Sequence, residues 1–213
     1  MITTEEEARG WLAALPEWDA LAADRIARLI AMLAEENQRQ NLVAAATLPL
    51  VWQRHIADSA QLLPHVPRET PGAWLDLGTG AGFPGLVIAA LRPEWEVVMV
   101  ESRGRRLEWL ERACQALGLD HARVVGSRLE LIESRPYAVI SARAFAPLTR
   151  LLELSARFST KDTLYLLPKG RSAQQELSEL TGWNHLFHVE QSLTDSDAGV
   201  IVGRLLGKKG KKP

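Results

Sequence analysis

The stretch Trp74-Leu75-Asp76-Leu77-Gly78-Thr79-Gly80-Ala81-Gly82-Phe83-Pro84-Gly85 sets a short apolar run against four glycines, and Leu86-Val87-Ile88-Ala89-Ala90-Leu91 follows it. It reads as a buried strand, a tight loop and an apolar helix. Glycine serves where the backbone must take a positive φ or let a ligand come close. Pro84 suits the first helical position, because its missing N–H costs nothing there. The next apolar run, Val97 to Val100, ends at Glu101. A carboxylate at the tip of a second strand is placed to accept hydrogen bonds from the ribose hydroxyls of an adenosine cofactor.

Two fingerprints overlap in this loop. Gly80-x-Gly82-x-x-Gly85 fits a dinucleotide site, whereas Asp76-x-Gly78-x-Gly80-x-Gly82 fits the loop of S-adenosylmethionine-dependent methyltransferases. A dinucleotide fingerprint begins its glycines at the strand end, and here the strand ends at Leu77, ahead of Gly78, which favours the methyl donor. A phosphate-cradling P-loop is excluded, since no Gly-Lys-Ser/Thr follows. The bland reading, a turn selected only for strand-to-helix packing, leaves Glu101 without a purpose.

Outward from the loop, apolar runs at 74–77, 97–100, 123–125, 138–141 and 163–167 alternate with helical patterns, the rhythm of βαβ units and a mainly parallel sheet. Between the second and third runs, Leu107, Leu110, Cys114 and Leu117 share one helical face, with Cys114 as a buried small hydrophobe. Beyond Gly170 a helix is expected over Ala173 to Leu180, then strands over His185 to Val189 and Val200 to Leu206. The first seventy residues read as helical. Leu21, Ile26, Leu29, Ile30 and Leu33 form one apolar stripe, and a second helix runs from Pro49 to Leu63 before Pro64, Pro67 and Pro71 end it. This predicts a helical segment over 1–70 with a possible RNA contact, an α/β domain over 71–207 with helices on both sheet faces, and a disordered basic tail over 208–213.

The 213 residues are 46% hydrophobic, with 25 Lys plus Arg against 26 Asp plus Glu, an ordinary globular balance that excludes disorder and collagen. A net charge of −1 argues against a non-specific coat for nucleic acid, but the charge is uneven. Residues 1–36 hold eight acids and three arginines, residues 101–150 nine arginines and six acids. That asymmetry points weakly to a polyanionic partner. The single Cys114 cannot pair within the chain, the first residues are acidic where a targeting peptide is basic, and no apolar run reaches a membrane span. A cytoplasmic protein without membrane contact is expected.

Further stretches carry a resemblance. Together with the Asp76–Gly85 loop, Arg54-His55-Ile56-Ala57-Asp58-Ser59, Ser141-Ala142-Arg143-Ala144-Phe145-Ala146 and Pro168-Lys169-Gly170 resemble, in the right order, the motifs of the bacterial small-subunit rRNA guanine-N7 methyltransferases called RsmG or GidB. Asn41-Leu42 keeps part of that family's Tyr-Asn-Leu-Thr, with Gln40 and Val43 as departures. The resemblance implies a class I, Rossmann-like fold and transfer of a methyl group from S-adenosylmethionine to N7 of one guanine in 16S rRNA. The acceptor would be the small ribosomal subunit or an assembly intermediate. By similarity, Gly78, Phe83, Leu129, Glu130 and Arg143 fall on cofactor-binding positions. The residues themselves add Asp76, Gly80, Gly82 and Glu101.

Arg143, directly after a buried strand, is the candidate catalytic residue, as a clamp on guanine or cofactor. Asn41, Arg54, His55 and Lys169 are candidate RNA contacts, with Arg54 and Asp58 spaced to pair along a helix. Arg103, Arg105 and Arg106 could meet phosphate. His185 and His188 lack companions at metal-site spacing, so no metal is expected. A monomer is expected. The rivals are a nicotinamide-dependent oxidoreductase using Gly80, Gly82 and Gly85, and a non-catalytic RNA-binding factor.

Overall fold

The computed structural model describes residues 1–210. Two helices open the chain, α1 (Glu5–Ala13) and α2 (Ala20–Glu36). Thr4 starts α1 with a reciprocal capping box, its hydroxyl accepting from the Glu7 N–H while the Glu7 carboxylate accepts from the Thr4 N–H. Asp19 caps α2 through the Ala22 N–H at 2.7 Å. Ala22, Ile26, Leu29 and Leu33 then face inward. Leu21, expected on that stripe, is 51% exposed, because Ala22 takes the inward position and Leu21 is turned about 100° away from it.

The expected single helix over 49–63 is a mixed path. A 3-10 turn (Ala45–Leu50) contains Pro49, whose missing N–H an α-helix would need. A π-helical turn (Trp52–Ala57), α3 (Asp58–Ala60) and a 3-10 turn (Leu63–His65) complete it. The Glu5 carboxylate accepts from the Trp52 and Gln53 N–H groups at 3.0 and 2.8 Å, so this path is capped from α1.

The sheet has eight strands. β1 (Trp74–Leu77), β2 (Val97–Glu101), β3 (Ala122–Gly126), β4 (Val139–Ser141) and β5 (Leu164–Lys169) are parallel in the order β3-β2-β1-β4-β5. β8 (Gly199–Lys208) joins antiparallel to β5, and β6 (Trp183–His185) and β7 (His188–Gln191) pair with β8. The single strand expected over 185–189 is divided at Leu186–Phe187, where the Phe187 N–H turns to His185 Nδ1, just after a register shift between Asn184 and His185. α4 (Gly85–Leu91) starts one residue later than expected, with Pro84 as its cap. β8 reaches Lys208, and the Lys209 N–H donates to the Gly182 carbonyl, so the tail expected from residue 208 begins as paired backbone. Residues 211–213 lie outside the described residues.

Alternate strand residues face opposite sides, as the pleat dictates. Trp74, Val97, Met99, Val139 and Leu166 meet α2, α4 and α5 (Gly104–Leu117) on one face. Leu75, Val98, Ile140, Tyr165 and Ile201 meet α6 (Leu148–Ser155) and α7 (Ala173–Ser178) on the other. On α5, Trp109, Leu110, Ala113 and Leu117 are buried. Cys114, expected buried, is half-buried beside them, and burial with the Glu111 carboxylate pushes its thiol up to about 11.

The N-terminal helices share a core with the sheet. Arg25 donates to the Leu117 and Gly118 carbonyls, completing the open end of α5. Arg92, at the end of α4, pairs with Glu17 at 2.9 Å, the two side chains only 2% and 5% exposed, and also donates to the Val66 carbonyl. Removing one partner of a buried pair strands the other charge. Arg92→Ala is therefore expected to lower the unfolding free energy by about 3–5 kcal/mol, read from urea denaturation.

Candidate active site at the carboxyl ends of the strands

The glycine loop is fixed from beneath. Trp74 Nε1 donates to Ser141 Oγ at 2.8 Å, Ser141 donates to Asp76 Oδ1 at 2.7 Å, and Asp76 Oδ2 accepts the Gly85 N–H at 3.0 Å. Asp76, expected to touch the cofactor, is fully buried and instead ties β1, β4 and the start of α4 together. Burial pushes its carboxyl up to about 6, against the lowering effect of the Thr79 and Ser141 hydroxyls, the Gly85 N–H and Arg143. A side chain at Gly85 would meet Met99 and Asp76, and one at Gly82 would collide with Leu86 and Leu110, so both glycines serve packing. Gly78, which holds φ +61° as Gly82 holds +100°, differs in what it faces: a Cβ there would lie 2.3 Å from the Phe145 ring.

A cleft of about 340 Å³ opens beside this loop, lined by Gly78, Glu101, Arg106, Leu129, Glu130 and Phe145 among others. Glu101, at the tip of β2, accepts from the Ser102 and Arg103 N–H groups with one oxygen and from the Gly80 N–H, at 3.1 Å, with the other. Arg106 stands 3.8 Å from the second oxygen. The fit to an adenosine group rests on this donor set: a nearly buried carboxylate with acceptor capacity for hydroxyls, next to an apolar wall of Leu129 and Phe145. The buried Thr79 hydroxyl of the same loop lies against Asp76, where it favours the carboxylate without forming a well-aligned hydrogen bond.

A second cleft of about 650 Å³ lies on the other side of Ala144 and Phe145, which line both. Ala144 holds φ +51°, a conformation costly for a residue with a Cβ. Arg143, Arg54, His55 and Lys169 all line this second cleft. The Arg143 guanidinium lies 5.2 Å from the Phe83 ring centre and donates to Asp58 Oδ2 at 3.1 Å and the Arg54 carbonyl at 3.3 Å. Phe83 is buried, with its ring stacked against His55 at 5.1 Å. Lys169 donates to the Ala146 carbonyl at 2.7 Å and to Glu176 at 2.8 Å, pinning the far end of the loop after β4.

Arg54 and Asp58 do not pair. The π-helical turn places residues four apart off one line, so Arg54 reaches Asp195 at 2.9 Å while Asp58 serves Arg143, Thr194 and Gln61. Asn41 is exposed and does not line the cleft, whereas Leu42 and Val43 do, held by the Asn37 side chain. The sequence reading missed Asp58 as a partner of Arg143, and missed Thr47, Glu176 and Asp195. Asp58 lies inside a quoted motif, but the others carry no local signal. Arg103 and Arg105 are exposed at the start of α5.

The profile of the family described as GidB, rRNA small subunit methyltransferase G, matches residues 22–197. A protein of Novosphingobium aromaticivorans named ribosomal RNA small subunit methyltransferase G is 60% identical across all of this chain and 92% of its own. One of the same name from Erythrobacter litoralis is 60% identical over 96% of this chain and 98% of its own. Among solved structures, a methyltransferase from Geobacter sulfurreducens superposes with TM-score 0.55 at 16% identity, covering 97% of this chain and 98% of that one. Aeropyrum pernix fibrillarin with natively bound S-adenosyl-L-methionine superposes with TM-score 0.55 at 15% identity, covering 71% and 75%. These two likenesses establish the fold as that of class I methyltransferases.

Two outcomes follow from the loop. Gly78→Ala adds a left-handed backbone cost and a clash with Phe145, and is expected to weaken S-adenosylmethionine binding by about tenfold or more in calorimetry. Asp76 has a carboxyl raised in the folded state, so the native protein holds more protons than the unfolded chain between about pH 4 and 6. The stability of the wild type relative to Asp76→Asn is therefore expected to fall as pH rises through that window, read from urea denaturation at a series of pH values.

Proposed function

We infer the reaction from membership: this chain belongs to the GidB family, rRNA small subunit methyltransferase G, and it transfers a methyl group from S-adenosylmethionine to N7 of a guanine in the 16S rRNA of the small ribosomal subunit. The observation that carries the reading at the level of the site is a pair of clefts that share Ala144 and Phe145, one holding the acceptor carboxylate of Glu101 and the other the ion-paired cations Arg143, Arg54 and Lys169. The first is the donor cleft and the second the acceptor cleft.

When bound, S-adenosylmethionine supplies an electrophilic methyl group on a sulfonium. Glu101 would accept from its ribose hydroxyls, Leu129 and Phe145 would flank its base, and Gly78 would let it approach the backbone. Asp76, Gly82 and Phe83 support the loop from below, and Glu130 stands at the cleft wall.

Guanine N7 carries a lone pair and no proton, so attack requires no general base. Alignment of nucleophile and methyl group is then the main source of rate, a proximity effect that can lower a barrier by roughly 7–11 kcal/mol. Arg143 is the residue placed to align the base. A bidentate grip on O6 and N7 would occupy the attacking lone pair, so Arg143 serves O6 alone and leaves N7 free. Lys169 acts less directly, since both its contacts hold the loop that carries Arg143.

Arg54 and the exposed arginines at the start of α5 supply phosphate contacts, which add a salt-dependent contribution to RNA affinity. The acceptor is the small subunit or an assembly intermediate, met by a monomer in the cytoplasm. Among the described residues no helix is long and apolar enough to cross a membrane.

The test is methyl transfer from labelled S-adenosylmethionine to small subunits lacking the modification, with nucleoside mass spectrometry and mapping of the labelled base. A single 7-methylguanosine is the expected product. A different nucleoside, or no transfer to subunits or to partly assembled rRNA by protein that binds the cofactor, overturns the reading. Arg143→Ala is expected to lower turnover about 100-fold while cofactor affinity in calorimetry stays near that of the wild type.

A further inference from the structure

One edge of the Arg143 guanidinium is turned to His55, and a count of protons decides what it meets there. Thr47 Oγ1 lies 2.7 Å from the Ala44 carbonyl and 2.8 Å from His55 Nε2. A carbonyl only accepts, so the single hydroxyl proton of Thr47 goes to Ala44. Thr47 Oγ1 must then accept from a His55 Nε2–H. In a neutral ring this leaves the lone pair on Nδ1. The group facing Nδ1 is Arg143 Nη2, at 3.5 Å, which can only donate. Two neighbours on opposite sides of the ring therefore select the same tautomer.

The ring is also kept neutral. Burial, then the charges of Arg143 and of Arg54 on its own turn, push its pKa down to about 4. The nearby carboxylates are committed elsewhere, Asp58 to Arg143, Thr194 and Gln61, and Asp195 to Arg54. Phe83 holds the ring plane from below, stacked at 21°, and lies under the guanidinium as well.

We propose that Thr47 and His55 are positioning residues for methyl transfer: Thr47 fixes the Nε2–H tautomer of His55, and the His55 Nδ1 lone pair, together with Asp58, sets the plane of Arg143 in the acceptor cleft. The proposal rests on the reading of the two clefts as donor and acceptor sites. It assigns His55 to Arg143, in place of the RNA contact expected from the sequence, and gives Thr47 a role that no motif marks.

The tautomer is read directly by nitrogen-15 histidine spectra of the full chain. The expected result is an Nε2–H pattern for His55, unchanged between about pH 5.5 and 8, that gives way to a mixture in Thr47→Val. Turnover on small subunits separates the two sides of the ring. His55→Asn retains an acceptor near the Nδ1 position, whereas His55→Gln reaches toward Thr47 and loses that acceptor. The kcat of His55→Gln is expected to fall about tenfold or more below that of His55→Asn, with the KM for S-adenosylmethionine within about threefold of the wild type in both.

An Nδ1–H tautomer or a charged ring in the wild type overturns the proposal, as do equal losses in two variants with native melting temperatures. If either variant fails to fold, the wild-type spectrum still decides. A wild type that methylates no guanine overturns the functional reading instead, and is separable because the spectrum needs no turnover.

Discussion

A single buried carboxylate holds the carboxyl end of the parallel strands together. Asp76 projects from β1 into the interior, fully buried, where it joins the Ser141 hydroxyl of β4 and the first N–H of α4. A buried acid is costly unless its acceptor sites are filled. Filling them fixes where α4 begins, and this leaves the chain from Gly78 to Pro84 a narrow choice of paths. Glu101 then meets the Gly80 N–H from the next strand, so the loop is gripped from two sides before any ligand arrives. This is preorganisation in a literal sense, because the groups that would face a cofactor are already fixed by groups that would not.

The same strand pair creates the second cleft. The strand order turns back between β1 and β4, where open α/β sheets form a crevice at their carboxyl ends. The loop after β4 crosses that crevice, and its two ends are held by different neighbours, Arg143 by the π-helical turn and Ala146 by Lys169. Ala144 and Phe145 between these anchors become a partition with a cleft on each side. The positive φ at Ala144 is sustained because the flanking contacts over-determine the path.

Much of this was legible in the sequence. The strand, glycine loop and acid at 74–101, the alternation of β and α beyond them, and the family motifs carry local signals that survive folding. Arg54, His55, Arg143 and Lys169 do converge on one cleft. The sequence was less informative where a neighbour distant in the chain decides. Glu5 caps a turn at Trp52, so helix signals near 49–63 could not reveal its π geometry. Asp76 and Asp58 differ in role because of burial and of a turn with an unusual pitch, and residue type shows neither. Asp195 and Glu176 lie in unremarkable loop and helix sequence, and only the fold brings them to Arg54 and Lys169.

The wall of the cleft that Arg143 lines is tied to both ends of the chain. The Ile2 N–H donates to the Leu193 carbonyl, Gln53 donates to the Ile2 and Thr194 carbonyls, and Asp58 and Arg54 are met by Thr194 and Asp195. The cleft beside Glu101, by contrast, is lined entirely by residues from Gly78 to Leu154. During synthesis the two halves of the site therefore mature at different times. A nascent chain that has passed residue 154 has every lining residue of the cleft beside Glu101, whereas the second cleft lacks part of its lining until Ser192, Asp195 and Ala198 to Val200 have been made.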